Sequence, residues 1–166
     1  NGMLVERPAT GLRLEASDLT AYLAAGRVSE YLGSGDMVEY WKSGAYLLNF
    51  MDPYKLKRQF RHALADDARR ADLARLLKDT VGLLPADAMR TYSRIDPGNA
   101  RVRALMAEMI DTEACRLLWI PPSLPDYQLN GPFGRPQVGG ITKRLVFSSW
   151  TMVPQVIATL MSYEAE

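Results

Sequence analysis

Lys143-Arg-Leu-Val-Phe-Ser-Ser-Trp150, followed by Thr151-Met-Val-Pro154, is the part of the sequence with the clearest architecture. The run Leu145–Phe147 is apolar without interruption. A strand with one face in water would alternate apolar and polar side chains, so this run predicts a strand covered on both faces, as in a parallel sheet. Apolar residues then recur at spacings of three and four, which predicts an amphipathic helix. They are Val153, Val156, Ile157, Leu160 and Met161.

The turn between this strand and this helix is rich in hydroxyl groups. Ser149 or Thr151 can cap the helix, and Pro154 falls in its first turn, where a missing N–H costs nothing. A buried strand, a turn and an amphipathic helix make half of a βαβ unit. Since a parallel strand needs neighbours for its backbone groups and no second strand of this kind follows, we expect the chain to be a piece of a longer protein. We also expect the exposed edge of the strand to pair with another segment or with a second copy, which would form a homodimer.

The same residues carry a resemblance to a known family. Lys143-Arg-Leu-Val-Phe-Ser-Ser-Trp150 and the helix after it resemble the opening of the second RecA-like domain in superfamily 2 helicases of the Swi/Snf-like kind, whose fourth motif reads roughly Lys-x-Leu-Ile/Val-Phe-Ser. Leu118-Trp-Ile-Pro-Pro-Ser-Leu-Pro125 and the helix end Leu160-Met-Ser-Tyr-Glu-Ala-Glu166 are similar to a bacterial branch of these helicases. The resemblance implies that the parent protein is an ATP-dependent DNA helicase or translocase that uses ATP and magnesium.

Upstream of the tail, the apolar spacing is helical. A helix is expected from Ser17-Asp18 towards Leu32, another over Met37–Leu48, and the longest from Asp96-Pro97 onwards. The predicted fold class is mainly α: a bundle of about five to six helices, with a C-terminal strand and helix that begin an α/β RecA-like domain.

Composition divides the chain into four segments. Residues 1–17 are predicted to be an extended lead-in, and residues 18–118 are predicted to form a helical unit. Residues 119–141 are rich in Pro and Gly and form a connection. Residues 142–166 hold the predicted strand and helix. The resemblance implies that the helical unit lies between the two motor lobes of the parent helicase.

Composition also excludes several classes of protein. The chain has 166 residues, of which 48% are hydrophobic and 23% charged, which is typical of a globular domain. Twenty basic residues oppose nineteen acidic ones, so the net charge of +1 gives the whole chain no strong attraction to nucleic acid. Cys115 is the single cysteine, which excludes an internal disulfide and favours a cytoplasmic location. No apolar run approaches the length of about 20 residues that spans a bilayer, so no membrane partner is expected.

The motifs of ATP hydrolysis are missing from this sequence. There is no Gly-x-x-x-x-Gly-Lys-Ser/Thr loop, and Lys42-Ser43 lacks the upstream glycines. We therefore expect no catalytic residue, cofactor site or metal site in this chain, and no ATPase activity from the chain alone. ATP and magnesium belong to the parent that the resemblance implies.

A basic patch extends over two of the expected helices, between Tyr54 and Lys78. Phosphates would meet several cations on neighbouring helices, which makes this patch a candidate DNA-binding surface. The alternative is an ordinary solvated helical face, since Asp66, Asp67 and Asp72 lie among the cations. The candidate residues are Lys55, Lys57, Arg58, Arg61, Arg69 and Arg70.

Ser148, Ser149 and Trp150 form a second candidate site. They lie where the predicted strand gives way to a helix, at the edge of a parallel sheet where ligands bind. In the resembled helicases this edge faces the nucleic acid, so the hydroxyls and the helix N-terminus could contact a phosphate. The alternative is ordinary capping by Ser149 or Thr151 and core packing by Trp150. Two other functions stay open for the whole chain: a helical protein-interaction module and a small helical DNA-binding domain.

Overall fold

The regular elements of the chain are helices. The computed structural model describes residues 12–50, 54–78, 82–118, 130 and 144–166. Within these residues the prediction of a mainly helical chain is confirmed. The elements are α1 (Ala16–Tyr31), α2 (Val38–Ser43), α3 (Leu47–Phe50), α4 (Lys55–Leu64), α5 (Asp67–Lys78), α6 (Ala86–Arg90), α7 (Ala100–Met109), a short 3₁₀ helix (Ala114–Leu117) and α8 (Met152–Ala165).

One hydrophobic core joins α1, α4, α5, α7 and α8. The apolar stripe expected in the tail faces this core, because Met152, Val153, Val156 and Leu160 of α8 are buried in it. The tail helix is therefore packed against the helices of residues 18–118. The other helices of this group contribute Val28, Leu56, Ala63, Leu73, Val102 and Met106, and Leu32, directly after α1, joins them.

The predicted C-terminal strand is wrong. Residues 144–148 belong to no regular element, and no strand occurs in the ranges that the structure describes. Leu145, Val146 and Phe147 are 80%, 42% and 86% exposed. An apolar run favours a buried strand only if a neighbouring strand takes up its backbone groups, and none does so here. The prediction that an α/β domain begins at these residues is therefore wrong as well, because it depended on this strand.

Two helix predictions in the middle of the chain are also corrected. The single helix expected over Met37–Leu48 is divided into α2 and α3, because Tyr46 between them has a left-handed backbone with φ of 52°. The helix expected from Asp96-Pro97 starts only at Ala100, after Gly98 with φ of 60°. It is also shorter than α1. In both places a local turn ends the helix although the helical spacing of apolar residues continues along the sequence.

The C-terminal end of α8 is fixed to the loop that follows α6. The Tyr163 hydroxyl lies 2.8 Å from the Ser93 carbonyl oxygen, and the Ile95 amide donates to Glu164 Oε1 at 2.7 Å. Tyr163 also stacks on Tyr92, with the ring centroids 6.2 Å apart. Both ends of α8 are therefore held against the helical unit. The predicted Pro/Gly-rich connection at residues 119–141 lies outside the described residues except for Asn130, so the division into segments stays a prediction.

Candidate nucleic-acid interface

One face of α4 is made of basic side chains. Lys55, Arg58 and His62 follow one another at spacings of three and four, so they lie on one side of the helix. All three are exposed, and so is Arg61 next to them. The opposite side of α4 packs on the core through Leu56, Phe60 and Ala63.

Among the described residues, no carboxylate neutralises the charges of Lys55 and Arg58. No acidic residue occurs within α4, and neither side chain has an ion-pair partner in the part of the chain that the structure describes. Lys57 is half-buried and donates from Nζ to the Leu48 carbonyl oxygen at 3.4 Å. The basic face from Lys55 to His62 is about 10 Å long, at a rise of 1.5 Å per residue. We call the exposed side chains Lys55, Arg58, Arg61 and His62 the α4 basic face.

The arginines of α5 are, in contrast, already occupied. Arg70 is paired with Asp67, and Arg75 with Asp72, in both cases one helical turn apart. The Arg69 guanidinium lies 5.8 Å from the centre of the Tyr31 ring. The two basic helices therefore differ: Arg69, Arg70 and Arg75 of α5 have partners, whereas Lys55 and Arg58 of α4 have no ion-pair partner among the described residues.

The second candidate site lies at the start of α8, where the backbone donors are already used. Ser148 Oγ accepts from the Trp150 amide at 3.1 Å, and the Val153 amide donates to the Trp150 carbonyl oxygen at 3.1 Å. The Met152 amide donates to the Tyr54 hydroxyl at 3.1 Å. Pro154 has no N–H. Few donors of this helix end are therefore left for a phosphate, although the Ser149 side chain is exposed.

The two predicted sites are nevertheless neighbours. Tyr54 directly precedes α4, and its hydroxyl contacts the first residue of α8. Trp150 is half-buried and packs against the hydrophobic core. Its position agrees with the alternative of core packing.

A buried ion pair was missed by sequence reasoning. Asp18 in α1 is 0% exposed, and the Arg103 guanidinium in α7 donates to both of its oxygens, at 2.9 and 3.3 Å. Arg103 also lies 3.4 Å from Asp96 and 3.6 Å from Glu15. The Glu15 amide donates to Asp18 Oδ2 at 3.0 Å. This cluster joins the N-terminal ends of α1 and α7, and no local signal links residues so far apart in sequence.

The surroundings of Asp18 decide its protonation. Burial raises the pKa of this carboxyl, but the hydrogen bonds from Arg103 and from the Glu15 amide, together with the charge of Arg103, lower it below its ordinary value. The hydrogen bond to Asp18 in turn raises the pKa of Arg103. Both groups are therefore charged at neutral pH, and the cluster is a structural bond between two helices.

The remaining polar features of the described residues include a cavity beside Tyr46. A cavity of about 280 Å³ is bordered by Tyr46, Arg94 and Asp96, and burial followed by the charges of Asp96 and Glu164 raises the pKa of Tyr46 to about 12. The Tyr46 hydroxyl is engaged, since it donates to the Asp96 carbonyl oxygen. Among the described residues, no group of His, Cys, Asp and Glu side chains could hold a metal ion.

Comparison with known proteins adds no assignment. Neither a protein-family model, nor a curated protein, nor a solved structure matches this chain. In the described parts of the chain, no helix combines the length and the apolar character needed to cross a bilayer.

Proposed function

We propose that this chain is a helical DNA-binding unit that contacts the phosphate backbone through the α4 basic face. One observation carries the proposal: Lys55 and Arg58 are exposed on a helix without acids and have no ion-pair partner among the described residues, whereas Arg70 and Arg75 of α5 are paired. Cations that no carboxylate neutralises can replace the counterions of DNA, which gives binding that depends on salt and not on base sequence.

A charge-reversal variant tests this proposal. For about three phosphate contacts, the logarithm of the binding constant falls with the logarithm of salt concentration at a slope of roughly −3. Lys55→Glu combined with Arg58→Glu should weaken binding to a labelled DNA duplex about tenfold or more, and should reduce that slope by about 2. Fluorescence anisotropy at several salt concentrations measures both quantities.

The matched control changes the same amount of charge on α5. Arg70→Glu with Arg75→Glu gives an equal change in net charge, but these arginines are paired with Asp67 and Asp72. This control should bind DNA much better than the α4 variant does. Equal loss in both variants would show a response to net charge alone, and no binding by the unchanged chain at low salt would remove the DNA function.

We further propose that the parent protein is an ATP-dependent helicase or translocase of the Swi/Snf-like kind, located in the cytoplasm. The support is the resemblance of residues 143–150 to the fourth helicase motif. The proposal requires α8 to keep its apolar stripe on the helical unit, while Leu145–Phe147 stay available to other parts of the parent. The α4 basic face would then supply a DNA contact between the motor lobes.

An ATPase assay tests this wider proposal. A longer chain that contains both motor lobes should hydrolyse ATP in the presence of magnesium, and DNA should stimulate the reaction. The 166-residue chain should show no hydrolysis under the same conditions. ATP hydrolysis by the short chain alone, or a parent gene without a nucleotide-binding loop, would contradict the helicase assignment.

A further inference from the structure

The outer face of α1 carries apolar side chains that nothing in the described residues covers. Leu19 and Leu23 are 52% and 60% exposed and lie one helical turn apart. Gly26 continues the same face, and a Cβ placed there would meet no atom within 4 Å. α1 already packs on the core through its other side, which carries Ala24, Ala25 and Val28. Among the described residues, the two leucines therefore take no part in the hydrophobic core.

Apolar exposure continues at the N-terminal end of this helix. Leu12 and Leu14 directly precede α1 and are 41% and 64% exposed. Their backbone has a fixed position, because Arg103 Nη1 donates to the Arg13 carbonyl oxygen at 3.2 Å. Exposed apolar residues that cluster along one helix and the segment before it mark an interaction site more often than isolated exposed residues do.

This face of α1 is complementary to the same face of a second α1 that runs in the opposite direction. Leu19 and Leu23 are placed symmetrically about the level of residue 21, and so are Glu15 and Arg27. An antiparallel second α1 with its two-fold axis at this level sets each Leu19 opposite a Leu23, and each Glu15 opposite an Arg27. The Glu15 side chain lies 3.6 Å from Arg103 of its own chain but stays 44% exposed, so an Arg27 of a second copy can reach it from the solvent side; Arg27 is exposed as well. Ala16 would face Gly26, and these small residues allow the two helices to approach closely.

We propose that α1 is the interface of a homodimer in which a second copy packs its own α1 antiparallel to the first. A second copy of this chain fits this face for two reasons. Opposite charges, Glu15 and Arg27, lie at its two ends, and the charged pair and the leucine pair are symmetric about the same level, residue 21. One pair of helices of this length buries less accessible surface than the roughly 1,200–2,000 Å² that a stable protein–protein interface buries. The dimer is therefore weak, and its population depends on protein concentration.

Sedimentation equilibrium of the 166-residue chain over a range of concentrations tests the proposal. The unchanged chain should show a reversible monomer–dimer equilibrium. Leu19→Glu with Leu23→Glu should weaken dimerisation at least tenfold, while its circular dichroism spectrum stays unchanged. The matched control, Leu145→Glu with Phe147→Glu, adds the same charge at the other exposed apolar segment and should leave the equilibrium unaltered. A monomer at all concentrations, or a dimer that only the tail variant disrupts, would overturn the proposal.

Disulfide cross-linking tests the register without relying on that variant. In a Cys115→Ala background, Leu19→Cys chains mixed with Leu23→Cys chains should cross-link efficiently on oxidation, since the two positions face each other. Either chain alone should cross-link poorly, because equal positions are displaced along the axis and a disulfide needs Cα atoms about 4.4–6.8 Å apart. Equal cross-linking in all three samples, or none in the mixture, would contradict the antiparallel pairing.

Discussion

Asp18 is a fully buried carboxylate whose charge depends on one arginine. Arg103 holds it with two hydrogen bonds, and its own side chain is 24% exposed. A buried charge that has lost its partner is more costly than either the intact pair or an apolar replacement of both residues. The cluster at the start of α1 and α7 is therefore a point where one substitution should have a large effect.

Arg103→Met should lower the free energy of unfolding by about 3–5 kcal/mol at neutral pH, because it leaves Asp18 charged, buried and without its ionic partner. Urea denaturation followed by tryptophan fluorescence measures the change. Arg75→Met, which disrupts the exposed pair with Asp72, is the control and should cost about 1 kcal/mol or less. Similar losses in the two variants would show that Arg103 is no more than a surface cation.

The same pair gives the stability a defined dependence on pH. Because the pKa of Asp18 is lowered in the folded protein, its contribution is complete above the unfolded value of about 3.9 and is lost as the pH falls through the folded value. The unchanged protein should therefore lose more stability below about pH 4 than Asp18→Asn does. Parallel pH profiles of the two proteins would contradict the assigned shift.

At the scale of elements, α8 is the helix that closes the core. Val156 and Leu160 are 0% and 3% exposed, and they pack with residues of α1, α4, α5 and α7. Tyr163 and Glu164 then fix the end of the helix to the loop around Ser93 and Ile95. The tail helix and the helical unit should consequently unfold together.

Leu160→Ala should destabilise the whole chain by about 2–5 kcal/mol, through loss of buried apolar contacts and the cavity that remains. Ser162→Ala, two residues later on the exposed side of α8, should change stability by no more than about 0.5 kcal/mol. Chemical denaturation should show one transition, displaced as a whole in Leu160→Ala. A main transition that does not move would mean that α8 is an independent unit.

At the scale of the whole molecule, the sequence predicted what local periodicity determines. The apolar stripe of α8 and the basic side chains of α4 follow from spacing alone. The pairing of Arg70 with Asp67 was also readable, since the two residues are three positions apart on one helix. The strand at Leu145–Phe147 was wrong because pairing depends on a neighbour that spacing cannot supply. The Asp18–Arg103 pair joins residues 85 positions apart, so only the packed chain reveals it.

The hydrogen bond between Tyr54 and Met152 connects two helix starts that are 98 positions apart in the chain. Tyr54 adjoins Lys55, and Met152 follows the exposed residues Leu145–Phe147 within one short turn. The start of α8, just after that tail segment, is therefore tied to the start of α4 by this hydrogen bond as well as by the core contacts of Met152 and Val153. The exposed apolar segment and the basic helix thus share one anchoring point on the helical core.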